Sequence, residues 1–387
     1  MIRKKVLHIG QDTGGVKTYI AQTFEHSSDV YEFSIIAPAN KAFEAYCKKK
    51  SINYYPVNLH RGGSPLKTLI GISKIIRIIH KEDPDIIHTH SAKGGFLGRL
   101  AGKLTGSKNV IYTPHAFSYL SFSGPKRMAF YLLETMAVKW TSVLLAISYS
   151  EANKAIYELG YKKRDVKMVL NSVELPKTDR PMPANQNLKI RLIGRLTVQK
   201  NQIQFLEIAN QILKKYPAIQ FSILGAGIHD DQSPEIKSYL QKHDLAGKIN
   251  IEKWGDAGKS KKFLEGTDIY VMTSLFEGLP YSLLEAMALG IPCVVSDVEG
   301  NKDVIRNYEN GFSCLTVESF CEKIELLINN PELRERIGNA GREYVEKHHN
   351  IAINKILLER IYRELPGIHA EKEYIDDHTP SELQVQI

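Results

Sequence analysis

Short runs rich in Val, Ile and Leu alternate along the whole chain with longer stretches whose apolar residues recur every third or fourth position. The first pattern predicts strands and the second amphipathic helices. Strands are expected at 5–10, 31–37, 52–57, 86–90, 110–113, 143–147 and 167–170, then at 188–193, 220–224, 249–253, 269–273 and 292–296. A helix is expected over 65–80, where Leu66, Leu69, Ile72, Ile75, Ile76 and Ile79 share one face. Paired Ile-Ile and Val-Val positions inside the strands suit parallel sheets covered on both faces. Strand–helix repetition of this kind predicts an α/β protein.

The pattern is interrupted once, between 176 and 187, by a polar stretch holding Pro176, Pro181 and Pro183. That composition reads as a linker. The 387 residues are too many for one ordinary core, so two domains are expected, at 1–175 and 188–350. A long helical stretch covers 333–365, and its last part, about 351–368, is expected to cross back onto the first domain. The polar tail from 369 to 387 is expected to be mobile.

Composition adds three constraints. The hydrophobic share of 43% and charged share of 24% are those of a water-soluble globular chain. No run of eighteen apolar residues appears, and Met1-Ile-Arg-Lys-Lys-Val-Leu7 leads into a strand, which argues against a membrane span or a secretory signal. Cys47, Cys293, Cys314 and Cys321 lack metal-ligand spacing and read as reduced thiols in a cytoplasmic protein. Charge is uneven: residues 1–175 carry 25 Lys and Arg against 13 Asp and Glu, a net of +12 within a chain of +8. The first half therefore suits an anionic partner, although a solvated basic face would have the same composition. Nothing resembles a zinc finger or an RNA-binding signature, so nucleic acid is not expected.

The most informative segment is Glu277-Gly-Leu-Pro-Tyr-Ser-Leu-Leu-Glu285. Pro280 suits the first position of a helix, and the unpaired amides of that first turn, with the helix dipole, can take a phosphate. Glu277 and Glu285 beside it offer acceptors for hydroxyls, a combination that fits a sugar nucleotide. A loop-to-helix junction with solvated acids has the same spacing. Arg195 and Lys200, in Gly194-Arg-Leu-Thr-Val-Gln-Lys-Asn201, follow a strand and can neutralise a diphosphate, or serve as plain surface charge. Gly14 and Gly15 follow the first strand and allow close approach of a phosphate, or merely a tight turn. His115, in Tyr112-Thr-Pro-His115, sits at another strand end, where it can touch a sugar or be structural. His88 and His90 alternate on one strand with no carboxylate placed to complete a site, so no metal is expected there. Asp83 and Asp85 read as solvent-facing acids after a helix.

In order along the chain these motifs resemble the retaining GT-B glycosyltransferases of family 4, the group 1 transferases. The matching residues are Gly14-Gly15-Val16, His88-Thr-His90-Ser with Gly94-Gly95, Thr113-Pro-His115, Asn171-Ser-Val, Gly194-Arg195 with Lys200-Asn201, Gly225-Ala-Gly227, Glu277 through Glu285, Gly290-Ile-Pro, Gly300-Asn301-Lys-Asp303 and Asn310-Gly311-Phe312. The likeness spans about 5–350, and the His-Ser-Ala-Lys-Gly-Gly and Tyr-Thr-Pro-His-Ala-Phe stretches are similar to those of bacterial capsule, O-antigen and exopolysaccharide transferases.

The resemblance implies two Rossmann-like domains facing across a cleft, with acceptor bound mainly to the first and donor to the second. It implies that Arg195 and Lys200 hold a diphosphate with amides near Gly14, Gly15 and Gly278 to Ser282, including those of Leu279 and Tyr281. Glu285 would take the ribose hydroxyls, Glu277 the hydroxyls of the transferred sugar, and His115 a place beside the reacting carbon. The donor is expected to be a UDP-hexose or UDP-N-acetylhexosamine and the acceptor a polyprenyl-diphosphate-linked glycan, with no metal and no other cofactor. Leu279-Pro280-Tyr281-Ser282 departs from the small, glycine-rich segment of many relatives, which bears on which amides reach phosphate. Lys67, Lys74, Arg77 and Lys81, with Lys126 and Arg127, would hold the first domain at the anionic inner face of the plasma membrane. Two competing readings are a UDP-N-acetylglucosamine 2-epimerase on the same fold and a catalytically silent subunit of a polysaccharide assembly complex.

Overall fold

A computed structural model describes residues 3–59, 65–176, 187–227, 232–255 and 257–368. The chain forms two compact units: Met1–Leu170 with Ala352–Ile387, and Asn171–Ile351. The first border falls before the proline-rich stretch rather than within it. Residues just after Leu170 are already tied to the second unit, since Val173 N–H donates to His349 O (2.9 Å) and Asn171 Nδ2 to Leu279 O (2.8 Å). Most of the expected linker, 177–186, and the tail from 369 lie outside the described residues.

The first unit holds β1 (Lys4–Ile9), α1 (Gly14–Ser27), β2 (Tyr31–Ala37), α2 (Lys41–Lys49), β3 (Asn53–Pro56), α3 (Pro65–Glu82), β4 (Ile86–His90), α4 (Ala92–Leu104), β5 (Val110–Thr113), α5 (Gly124–Ala137), β6 (Val143–Ala146), α6 (Tyr149–Asn153) and β7 (Val166–Met168). Its seven strands are parallel, in the order β3-β2-β1-β4-β5-β6-β7. All five residues of β4 are buried, as a central strand covered on both faces requires. α4 lies close on this sheet because glycines face it: a Cβ on Gly95 would stand 2.3 Å from the Tyr112 ring, and one on Gly98 2.5 Å from Thr89. A fully buried ion pair, Arg99 Nη2 to Glu134 Oε2 at 2.7 Å, joins α4 to α5. Tyr112 and Ser118 hydroxyls donate to the other Glu134 oxygen.

The second unit holds β8 (Lys189–Ile193), α7 (Gln202–Lys215), β9 (Gln220–Ala226), α8 (Ser233–Lys242), β10 (Ile249–Lys253), α9 (Ala257–Glu265), β11 (Ile269–Met272), α10 (Tyr281–Ala288), β12 (Cys293–Ser296), β13 (Phe312–Cys314), α11 (Val317–Asn329) and α12 (Pro331–His348). Its six parallel strands run β10-β9-β8-β11-β12-β13 around a core that includes Ile190, Phe205, Phe221, Val271, Phe312 and Ile324. β13 was not expected from the pattern. The long helical stretch is broken at His349-Asn350, giving α12 and then α13 (Ile351–Arg363). α13 packs on the first unit: Tyr362 OH meets His88 Nδ1 at 2.6 Å, Ser27 Oγ donates to Glu359 at 2.9 Å, and Asn354 Nδ2 donates to Leu170 O at 2.9 Å. Two doubly wound sheets, with a final helix returning to the first, form the expected architecture.

Candidate active site

In each sheet the strand order reverses once, and ligands of open α/β sheets bind beyond the carboxyl ends of the strands at that point. In the second unit the reversal lies between β8 and β11. β8 is followed by Gly194, whose carbonyl lies against Gly225; a Cβ on Gly225 would stand 1.8 Å from it. Gln202, fully buried, donates to Gly194 O (3.2 Å) and Arg195 O (2.7 Å), which fixes the turn carrying Arg195. The chain then reaches Lys200 and enters α7 through left-handed Asn201 (φ 49°). Four hydrogen bonds fasten this loop to the one after β11: Thr273 Oγ1 to Lys200 O and Asn201 O, Leu275 N–H to Gln199 O, and Gln199 Nε2 to Phe276 O.

The fastening brings Lys200 Nζ onto Glu277 Oε1 as a shielded ion pair. The lysine stem lies over Gly194, where an added Cβ would meet Cγ at 3.1 Å. Gly278 follows under Gly300 (φ +84°); a Cβ there would stand 2.6 Å from Gly278 O. Pro280 does not open the helix as expected. It is extended (φ −77°, ψ 125°) and is the N-cap, so α10 begins at Tyr281 and Glu285 is its fifth residue. Intrahelical bonding starts with Leu283 N–H and Leu284 N–H to Pro280 O, so the first-turn amides point out of the helix end. Leu279 and Tyr281 have buried side chains and present chiefly backbone, while Ser282 Oγ accepts from Tyr270 OH at 2.8 Å. Glu285 is half-buried, no hydrogen bond from the described residues reaches its carboxylate, and burial pushes its acid up to about 7. One side of the reversal therefore carries Arg195 and Lys200; the other carries Glu277, helix amides and an uncompensated carboxylate.

In the first unit the reversal lies between β1 and β4. Gly14 (φ +60°) and Gly15 open α1 there, both exposed. Beside them is a cluster the sequence pattern did not disclose. β1 and β4 pair with His8 opposite His88, and β4 and β5 with His90 opposite Thr113. Parallel register thus stacks His8, His88 and His90 on one face, each fully buried. His8, which the sequence pattern does not single out, supplies the third imidazole that His88 and His90 alone lacked. One nitrogen from each of the three lies within 4.8 Å of the others, a spacing a metal ion could use. Five of their six nitrogens are engaged otherwise: His8 Nδ1 with His90 Nε2 (2.9 Å), His90 Nδ1 with His115 Nε2 (3.1 Å), and His88 with Thr113 Oγ1 (2.8 Å) and Tyr362 OH. Burial lowers all four imidazoles, His8 and His115 to about 3, so they are neutral at physiological pH.

His115 is held in a costly backbone shape. It and Ala116 both have positive φ (52° and 79°), each costing about 1–3 kcal/mol in a non-glycine residue. The buried Glu151 carboxylate holds this turn by accepting from Ala116 N–H (2.8 Å) and Ile147 N–H (3.0 Å). The Tyr19 ring from α1 stands edge-on to His115, centroids 5.1 Å apart. Glu151, Tyr19 and His8 were not singled out in the sequence; a His on β1 facing the His-x-His of β4 was the available signal. Asp85 takes a structural role, accepting from Lys4 Nζ (3.1 Å) and Lys5 N–H (2.9 Å).

Two doubly wound parallel units with these features define a GT-B fold, and solved glycosyltransferases share it. The Anabaena protein HepE, solved in complex with UDP and glucose, superimposes with a TM-score of 0.79 over 94% of this chain and 100% of that one at 16% identity. Family assignment follows from the sequence. The model of glycosyltransferase family 4 matches residues 13–176 and that of glycosyl transferases group 1 matches residues 179–344, so the chain belongs to this glycosyltransferase family. Its relatives include the Escherichia coli UDP-Gal:alpha-D-GlcNAc-diphosphoundecaprenol alpha-1,3-galactosyltransferase, 28% identical over 77% of this chain and 80% of its own. The capsular polysaccharide biosynthesis glycosyltransferase CapM of Staphylococcus aureus is 27% identical over 79% of this chain and 81% of its own.

Proposed function

We propose that this glycosyltransferase moves a hexose or N-acetylhexosamine from a UDP-sugar, with retention of configuration, to a polyprenyl-diphosphate-linked glycan of a bacterial surface polysaccharide such as capsule or O-antigen. The observation that carries the reading is the second unit's reversal point, where Lys200 and Glu277 pair beside the unpaired carboxylate of Glu285. Lys200 and Arg195 neutralise the diphosphate, aided by amides at the start of α10 and near Gly14 and Gly15. Glu285 accepts from the ribose hydroxyls. Glu277, already anchored by Lys200, accepts from hydroxyls of the transferred sugar, and His115 contacts that sugar near the reacting carbon. The C1–O bond to the diphosphate breaks through an oxocarbenium-like state. The leaving phosphate oxygen then takes the proton of the attacking acceptor hydroxyl as the new bond forms on the same face. Cationic side chains and helix amides supply the charge stabilisation without a metal.

Docking at the anionic inner face of the plasma membrane suits the first unit. α5 exposes Met128, Leu132 and Met136 beside Lys126 and Arg127, and α3 exposes Leu66, Leu69 and Ile70 beside Lys67 and Lys74. Both helices pack against α4. Apolar residues flanked by cations are what an interfacial helix needs. Among the described residues no helix is long and apolar enough to cross a membrane.

The test supplies the protein with UDP-galactose, UDP-glucose or UDP-N-acetylglucosamine and a synthetic undecaprenyl-diphosphate N-acetylglucosamine, with and without EDTA. UDP release that needs the acceptor, is unchanged by EDTA and yields a product keeping the donor's anomeric configuration supports the reading. Release of UDP without transfer, an epimerised UDP-sugar formed without net UDP release, as an epimerase-like enzyme would give, or no turnover at all, refutes it.

A further inference from the structure

The buried imidazoles of the first unit are ordered as well as clustered, and the order has a direction. A neutral imidazole has one N–H and one lone pair. His90 lies in the middle with both nitrogens engaged, one by His8 Nδ1 at 2.9 Å and one by His115 Nε2 at 3.1 Å. Only two proton arrangements satisfy both contacts. In one, His115 Nε2–H donates to His90, His90 Nε2–H donates to His8, and His8 must carry its proton on Nε2. In the other, His8 Nδ1–H donates to His90, His90 Nδ1–H donates to His115, and His8 Nε2 keeps a bare lone pair.

His8 Nε2 decides between them. It is buried and meets no partner among the described residues, and its ring stands against Phe24 and Phe33. The first arrangement orphans a buried N–H there, whereas the second orphans only an acceptor, the less costly and less rare outcome. The perpendicular Phe24 ring offers no more than a weak N–H···π contact. His88 stands outside this chain because Thr113 and Tyr362 hydroxyls occupy its nitrogens. Burial suppresses the doubly protonated forms that would erase the direction.

We infer that His8 and His90 are positioning residues that hold His115 as its Nδ1–H tautomer, so that His115 presents a fixed hydrogen-bond donor to a hydroxyl oxygen of the transferred sugar. This rests on the proposed reading of His115 as a sugar contact. The ring's Nε2 is its only hydrogen-bonded atom among the described residues, which leaves Nδ1 for the substrate. Glu151 completes the device by fixing the left-handed turn on which the ring is mounted.

The test is NMR of the full-length protein labelled with 15N in histidine, correlating each ring nitrogen with its protons. Protonation on Nδ1 in His8, His90 and His115 is expected. Protonation of His115 on Nε2, a rapidly exchanging mixture, or metal-bound nitrogens would overturn the inference, and the wild-type spectrum alone decides this. Two variants separate positioning from plain packing. His8→Asn keeps a donor where Nδ1 stood, and His8→Leu removes it. Turnover of UDP-galactose, read as UDP release, should fall about tenfold in kcat for His8→Leu, the effect of one misdirected hydrogen bond. KM should change less than twofold, and His8→Asn should retain most of the rate. Equal losses in both variants, with the His115 tautomer unmoved, would also overturn it. If the tautomers are as inferred but UDP-galactose leaves the His115 signals unshifted, the sugar-contact reading fails while the proton order stands.

Discussion

Glu285 sets a conflict between stability and binding that can be measured. Burial without a partner raises its acid from an ordinary 4.5 to about 7. The sign follows from linkage. Between these two values the folded state holds a proton that the unfolded state has lost, so stability falls as pH rises through this window. The full penalty is present above 7 and absent below about 4.5. A displacement of some 2.5 units corresponds to about 3 kcal/mol at pH 8. Glu285→Gln removes the ionisation, so the empty variant should be more stable than the parent at pH 8, by up to about 3 kcal/mol, and equal to it near pH 4.5. Binding should move the other way. If the carboxylate must be ionised to accept ribose hydroxyls, the parent's affinity for UDP-glucose should fall about tenfold from pH 8 to pH 6, with one proton released on binding at pH 6. The variant should bind more weakly at pH 8, by roughly ten- to a hundredfold, and without pH dependence. Denaturant unfolding and titration calorimetry in buffers of different ionisation heat read both limbs. A variant less stable than the parent at pH 8, or a parent whose affinity is flat across this range, would show that Glu285 carries no such penalty and need not ionise to bind.

Three further outcomes are expected. Lys200→Ala leaves Glu277 charged and shielded without its partner, so unfolding should show a loss of about 3 kcal/mol, largely recovered in the Lys200→Ala/Glu277→Ala double variant; donor turnover should be lost in both. Glu134→Gln strips the countercharge from fully buried Arg99 and should cost about 3–5 kcal/mol in denaturant unfolding. Replacing Leu132 and Met136 together by Glu on exposed positions of α5 should leave unfolding nearly unchanged while lowering co-sedimentation with vesicles rich in anionic lipid, about tenfold or more.

Much of this architecture can be read from the apolar pattern because buried parallel strands write it plainly: Ile-Ile at 86–87 and Val-Val at 294–295 each mark a covered strand. β13 escaped because three residues, Phe-Ser-Cys, carry too little periodicity, and they become a strand only by pairing with β12. The break between α12 and α13 has no proline or glycine to announce it; Asn350 instead bridges to Val173, a partner far away in sequence. The loops after β8 and β11 were legible as motifs, but the Lys200–Glu277 pair depends on hydrogen bonds between loops 77 positions apart. The histidine relay was least visible of all, since it arises from strand order and register. His8 and His90 are 82 positions apart and meet only because β1 lies beside β4.

We propose that the reversal point of the second unit binds a uridine diphosphate group through Lys200. Thermal unfolding with UDP, GDP, ADP and TDP in turn tests it most directly, because a ligand at a hundredfold excess over its dissociation constant adds about 2.7 kcal/mol of stability. A rise in midpoint selective for UDP and absent in Lys200→Ala is expected. No rise with any of the four nucleotides, or a UDP effect that survives in Lys200→Ala, would contradict it.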